Sequence, residues 1–128
     1  MMSDCTDPYQ PLEREHKITR RCAEVLAKHS FPLLIVTKSD FVTRDLDIFK
    51  QTPTVVSVTI TTPREEIANL IEPYAPSPDH RISALQKVAD KDIPAVARID
   101  PIIPTINDDE KDFERLVSIL ASVGAKQI

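Results

Sequence analysis

The spacing of apolar and polar positions changes period several times along the chain. Residues 33–37 (LLIVT) are a short apolar run bounded by Pro32 and by Ser39-Asp40, which predicts a buried strand. Residues 54–61 (TVVSVTIT) are rich in β-branched side chains and predict a second strand. Residues 95–99 (AVARI) predict a third, and residues 125–128 start a fourth. Between these runs the period lengthens to that of a helix. In residues 18–29 the apolar positions Ile18, Cys22, Val25 and Leu26 recur on one helical face, the face expected to be buried. A short helix around 44–50 groups Leu46 with Phe49.

Capping signals mark the later helices. Thr62-Pro63-Arg64-Glu65 reads as a capping box with proline at the first helical position. Ser77-Pro78 opens another helix, with Ile82, Leu85 and Val88 or Ala89 facing inward. Asn107-Asp108-Asp109-Glu110 caps the last, whose stripe is Phe113, Leu116, Val117 and Leu120. Gly124 then stands where a C-terminal cap wants it. The proline-rich piece EPYAPSP (72–78) reads as a loop between two helices.

Alternation of this kind implies crossover connections and a parallel sheet, hence an α/β fold class in one domain. The strands are not apolar on both parities, as an open sheet covered on both faces would require. Ser57, Thr59 and Thr61 share a face opposite Val56, Val58 and Ile60, and Arg98 and Asp100 share a face opposite Ala97 and Ile99. A polar inner face suits a barrel, so the expectation is part of a parallel (β/α) barrel. A complete eight-stranded barrel needs roughly 250 residues, and 128 residues hold strands for about half of one.

Composition narrows the chemistry. The net charge is -4, which argues against a basic nucleic-acid surface. Eleven prolines stand against one glycine, which excludes glycine-rich phosphate loops. No apolar run is long enough to cross a bilayer, and the N-terminus MMSDCTDPYQ has no export signal, so a reducing, cytoplasmic setting is expected.

In parallel barrels chemistry sits at the C-terminal ends of strands. Lys38 ends the first strand, Ser57 and Thr59 offer hydroxyls from the second, and Arg98 and Asp100 end the third. Together they suit a small polar ligand carrying a carboxylate and hydroxyls. The alternative at this point is structural: an Arg98–Asp100 ion pair and strand-filling hydroxyls. Asp7 and Glu13 are acids in a loop before a helix, where solvation or capping competes with a binding role. His16, His29 and His80 lack metal-ligand spacing.

Taken in order, TDPYQPLE (6–13), ITRRCAEVLAKH (18–29), IVTKSD (35–40), VSVTITT (56–62), EPYAPSPDHRISALQKV (72–88) and RIDPIIPTIND (98–108) resemble consecutive pieces of a radical S-adenosylmethionine protein of the spore photoproduct lyase-like branch. The resemblance implies a partial barrel, S-adenosylmethionine and a [4Fe-4S] cluster, whose electron breaks the sulfonium bond to start radical chemistry. It matches Lys38 to a lysine near the carboxylate of S-adenosylmethionine. Ser57 and Thr59 match the strand approaching its ribose or methionyl group, and Arg98 and Asp100 match a polar strand end in the same cavity. Asp7, Tyr9, Gln10 and Glu13 fall where the family contacts the methionine amino group, although its GGE motif is missing here.

The family holds its cluster with C-x3-C-x2-C, which this sequence lacks. Cys5 and Cys22 are separated by sixteen intervening residues, and Cys22 is expected to be a small buried side chain of its helix. The cluster is therefore not expected in this chain, which reads as the central part of a radical S-adenosylmethionine barrel, truncated at both ends and inactive alone. One alternative is a non-catalytic half-barrel that self-associates through open sheet edges or docks on a partner. Another is a different small-ligand enzyme with Lys38 or Asp100 as base.

Overall fold

The computed structural model describes residues 1–2 and 6–128. Three parallel strands, β1 (Leu33–Thr37), β2 (Thr54–Thr59) and β3 (Ala95–Arg98), pair in the order β1-β2-β3. Two single bridges extend this order. Met2 pairs in parallel beside Ile35, and Gln127 pairs in parallel beside Val96. The sheet thus follows chain order from one edge to the other. The expected fourth strand is reduced to the Gln127 bridge, and β2 and β3 end earlier than expected, at Thr59 and Arg98.

Helices fill the crossovers. α1 (Glu13–His16) and α2 (Ile18–Lys28) precede β1. A 3-10 turn (Asp40–Asp45) and α3 (Leu46–Phe49) lead to β2. α4 (Glu65–Ile71) and α5 (Pro78–Ala89) lead to β3, and α6 (Glu110–Ser122) follows it. The register places Ile35, Val56 and Ala95 in one row and Thr37, Val58 and Ala97 in the next. This face enters the core with Leu85 and Val88 of α5 and Leu116 and Leu120 of α6. The other face carries Val36, Ser57 and Val96 in one row and Thr59 with Arg98 in another. None of these joins the core cluster, and Leu34 on the same parity is 37% exposed.

The polar parity read from β2 is therefore real, while the buried face of α2 is not the expected one. Thr19, Ala23 and Ala27 are buried, whereas Ile18, Cys22 and Val25 are exposed; of the four expected positions Leu26 alone packs against the core, partly buried. Small side chains at i, i+4 and i+8 present a stripe along which a helix backbone can approach a sheet closely. Side-chain size rather than hydropathy orients this helix, and Cys22 is not the buried residue its apolar neighbours suggested.

Other ends differ in smaller ways. α4 starts at Glu65 without a side-chain cap. The Thr62 hydroxyl instead accepts from the Arg64 amide at 3.2 Å, so the expected capping box is not formed. Ser77 caps α5 as expected, accepting from the His80 amide, with Pro78 at the first turn. Asp109 caps α6 by accepting from the Asp112 amide at 3.0 Å. On that helix Phe113 is 42% exposed and Val117 only half-buried, so the inner stripe is narrower than expected. Gly124 adopts φ 90°, a conformation that suits glycine alone, and a Cβ there would sit 3.1 Å from that of Ala89.

The orientation of α2 is directly testable by chemical denaturation. Ala23→Leu forces a large side chain against the sheet and is expected to cost about 1–3 kcal/mol. Val25→Ser removes an exposed apolar group and is expected to stay within about 0.5 kcal/mol.

Candidate functional site

A buried charge network anchors the N-terminal segment. Asp45, fully buried, accepts from the Tyr9 hydroxyl (2.9 Å), from Arg20 Nη1 (2.9 Å) and from Arg44 through both Nε (2.6 Å) and Nη2 (2.7 Å). Arg44 Nη2 also donates to Glu13 Oε1 at 2.7 Å. The Thr19 and Arg20 amides, at the start of α2, donate to the same carboxylate. Burial alone would raise the Glu13 carboxyl. The Arg44 guanidinium and the two amides overcome that and hold it below its ordinary value. Burial, followed by the Asp45 charge, pushes the Tyr9 hydroxyl well above its ordinary value and keeps it a donor. Tyr9 and Glu13 of the TDPYQPLE motif are thus bonded to residues more than thirty positions away.

Asp7 plays a related part at the top of β1. Its carboxylate accepts from the Thr37 hydroxyl (2.6 Å), the Lys38 amide (2.7 Å) and the Tyr9 amide (2.8 Å). These bonds close the C-terminal end of β1 and shape a cleft of about 510 Å³ beside it. Asp7, Gln10, Arg14, Lys38 and Tyr74 are among its lining residues. Tyr74 is 98% exposed on the proline-rich loop. Arg14 lies 4.5 Å from the centroid of the Phe41 ring, which holds its cation, with no carboxylate paired to it among the described residues. The cleft therefore offers two cations, the carboxylates of Asp7 and Asp40, and an aromatic surface, a mixed set that suits a small polar ligand with a flat group.

Beneath Lys38 runs a second buried pair. Arg81, 1% exposed, donates to Glu72 Oε2 at 2.6 Å, to the Thr59 carbonyl at 3.2 Å and, through Nε, to the Pro76 carbonyl at 2.7 Å. Thr61 donates its hydroxyl to the same Glu72 oxygen. Glu72 Oε1 has no hydrogen-bond donor among the described residues; Lys38 Nζ stands 3.6 Å away, an ion contact. Arg81 thus fixes the loop 72–76, one wall of the cleft, to the end of β2. Asn107 does the same for the segment after β3, donating to the Thr61 and Pro101 carbonyls at 3.0 Å each.

The sequence-derived candidates separate into three places. Asp7, Tyr9, Gln10 and Lys38 meet at the cleft. Glu13 is buried in the Arg44 network. Ser57, Thr59 and Arg98 lie on the sheet face away from the core cluster, where Arg98 is ion-paired with Asp100 at 2.6 Å; none of these four lines the cleft. Cys22 is exposed on α2, and Cys5 lies outside the described residues. Among the described residues no three His, Cys, Asp or Glu side chains gather as a metal site, and no helix is long and apolar enough to cross a membrane.

Arg44, Asp45, Glu72 and Arg81 are residues to which sequence reading gave no role, and Asn107, read there as part of the α6 cap, instead ties down the segment after β3 while Asp109 caps the helix. Arg81 left a signal: it falls four positions before the inward-facing Leu85, at helical spacing.

Two outcomes follow from the buried charges. Asp45→Ala strands the Arg44 and Arg20 cations and is expected to cost about 3–5 kcal/mol in urea unfolding. Glu13 is held below its ordinary value of 4.5, so its contribution is complete above that pH and is lost as pH falls through the folded value. A stability profile between about pH 5 and 2 should be shallower in Glu13→Gln than in the parent.

No family model matches the chain, and no solved structure matches it significantly. Among curated proteins it is similar to the uncharacterized protein MJ0683 of Methanocaldococcus jannaschii, 39% identical over 110 residues, which is 85% of this chain and 42% of that one. It is similar to the uncharacterized protein ORF301 of Acidianus two-tailed virus, 32% identical over 133 residues, covering 100% of this chain and 44% of the relative. The uncharacterized protein Rv2578c of Mycobacterium tuberculosis (strain ATCC 25618 / H37Rv) is 26% identical over 124 residues, 94% of this chain and 36% of its own. The chain spans less than half the length of the curated relatives it matches.

Proposed function

We propose that this chain is the central part of a (β/α) barrel of the radical S-adenosylmethionine type, and that the cleft beside Lys38 receives the carboxylate of S-adenosylmethionine. The observation that carries the reading is the cleft's place. It opens at the C-terminal end of a parallel strand in a sheet that runs in chain order, where barrel proteins bind ligands. The order is consistent with a barrel segment, and Lys38 presents a cation at the position the resemblance assigns to the ligand's carboxylate.

The residues present do not fit a [4Fe-4S] cluster. Such a cluster needs thiolates converging on one point, and Cys22 lies on the exposed side of α2, outside the cleft. Reductive cleavage of S-adenosylmethionine is accordingly assigned to a longer polypeptide of the relatives' size. This chain contributes ligand binding only. Asp7 and Glu13 spend their oxygens on internal bonds, so the binding assignment rests on Lys38.

Titration calorimetry with S-adenosylmethionine tests this. Saturable binding is expected, weakened about tenfold, or about 1.4 kcal/mol, in Lys38→Ala and unchanged in Arg98→Ala, which lies off the cleft. Equal affinity in Lys38→Ala and the parent would remove the assignment. Iron analysis after anaerobic reconstitution should find less than one cluster per chain; a stoichiometric cluster would overturn the account of the cysteines.

A further inference from the structure

The buried pair of Arg81 and Glu72 leaves a bond unmade. A guanidinium and a carboxylate commonly meet through two parallel N–H···O bonds. Here Arg81 Nη1 donates to Glu72 Oε2 at 2.6 Å, and Thr61 donates to the same oxygen at 3.2 Å. Arg81 Nη2 and Glu72 Oε1 are both buried, and neither has a hydrogen-bond partner among the described residues. A buried polar atom without a partner is costly, and two of them in one pair call for a cause outside it. Two causes are visible. Arg81 is turned by the carbonyls it serves, Pro76 through Nε at 2.7 Å and Thr59 through Nη1 at 3.2 Å. Glu72, with both donors on Oε2, has Oε1 3.6 Å from Lys38 Nζ.

We propose that Glu72 is the positioning residue of the cleft, holding the Lys38 ammonium in place for the carboxylate of the ligand; this rests on the S-adenosylmethionine reading above. Lysine carries its cation on a flexible four-carbon stem, so fixing the backbone does not fix the charge. Asp7 fixes the backbone, accepting from the Lys38 amide at 2.7 Å. Glu72, at the C-terminal end of α4, reaches the other end of the stem. The separation of 3.6 Å is longer than an N–H···O bond, so attraction between the charges steers the ammonium without engaging one of its donors. Arg81 offsets the Glu72 charge at close range, so the pair as a whole does not repel an anionic group. A cation ordered before the ligand arrives lowers the entropy lost on binding.

Two measurements on the 128-residue chain test the proposal, with circular dichroism melts as the control for folding. The first needs no ligand: 13C relaxation of the Lys38 Cε methylene, assigned by its loss in Lys38→Ala. In Glu72→Gln, which keeps a carbonyl oxygen for Arg81 and Thr61, the order of that methylene is expected to fall to that of the exposed Lys111. Glu72→Asp retains a charge for Arg81 but draws the second oxygen back, and the same fall is expected, which decides the matter if Glu72→Gln melts early. The second is a calorimetric double-mutant cycle with S-adenosylmethionine. Affinity is expected to drop about threefold in Glu72→Gln and to be unchanged when that substitution is added to Lys38→Ala. A merely structural role would weaken binding in both backgrounds, and a bare charge effect would tighten it in both. Either result overturns the proposal, as does Lys38 order that survives both substitutions of Glu72. A parent that binds no S-adenosylmethionine, yet loses Lys38 order in Glu72→Gln, refutes the ligand and upholds the positioning role.

Discussion

A single carboxylate, that of Asp45, organises the first third of the chain. It has no contact with solvent and receives hydrogen bonds from Tyr9, Arg20 and Arg44. A buried charge is tolerable only when its lone pairs are met by donors in good geometry. Here the donors come from the N-terminal loop, from α2 and from the turn before α3. Satisfying one residue therefore fixes three segments relative to one another. Arg44 carries the constraint onward to Glu13, whose other oxygen accepts from the Thr19 amide in the first turn of α2. The position of α2 against the sheet, and through Tyr9 and Asp7 the position of the cleft wall, are consequences of that arrangement.

The cleft sits where two such networks meet. Asp7 closes the end of β1 from one side, while Arg81 and Glu72 hold the proline-rich loop on the other. Lys38 lies between them, its backbone amide tied to Asp7 and its ammonium near an under-used oxygen of Glu72. A lysine placed this way retains side-chain donors beyond the contact with Glu72. Arg14 is held differently, by the face of Phe41, and among the described residues no acid pairs with it. The electrostatic character of the site thus comes from how partners are shared rather than from how many cations are present.

Much of the architecture was legible in the residues. The three strands, the two-helix crossover around EPYAPSP and the caps at Ser77 and Gly124 rest on local signals of period, proline and glycine, and these act over a few residues. The orientation of α2 was not legible. Ile18, Cys22 and Val25 form the more hydrophobic stripe, but Thr19, Ala23 and Ala27 form the smaller one, and close approach selects for size. The site was legible in part. Lys38, Asp7, Tyr9 and Gln10 do converge, because strand ends are set by chain order. Glu13 does not reach the cleft, because its partner Arg44 stands 31 positions away and no local pattern announces such a pair.

The walls of the cleft include Pro11, Pro73 and Pro76, while the sole glycine stands beside Ala89, outside it. Proline holds φ near one value, and a loop that must swing needs positions where φ can change. The loop 72–76 is further pinned by Arg81 at Pro76 and Glu72. The proline-rich wall is therefore held in one conformation from both ends, by its own fixed φ angles and by Arg81.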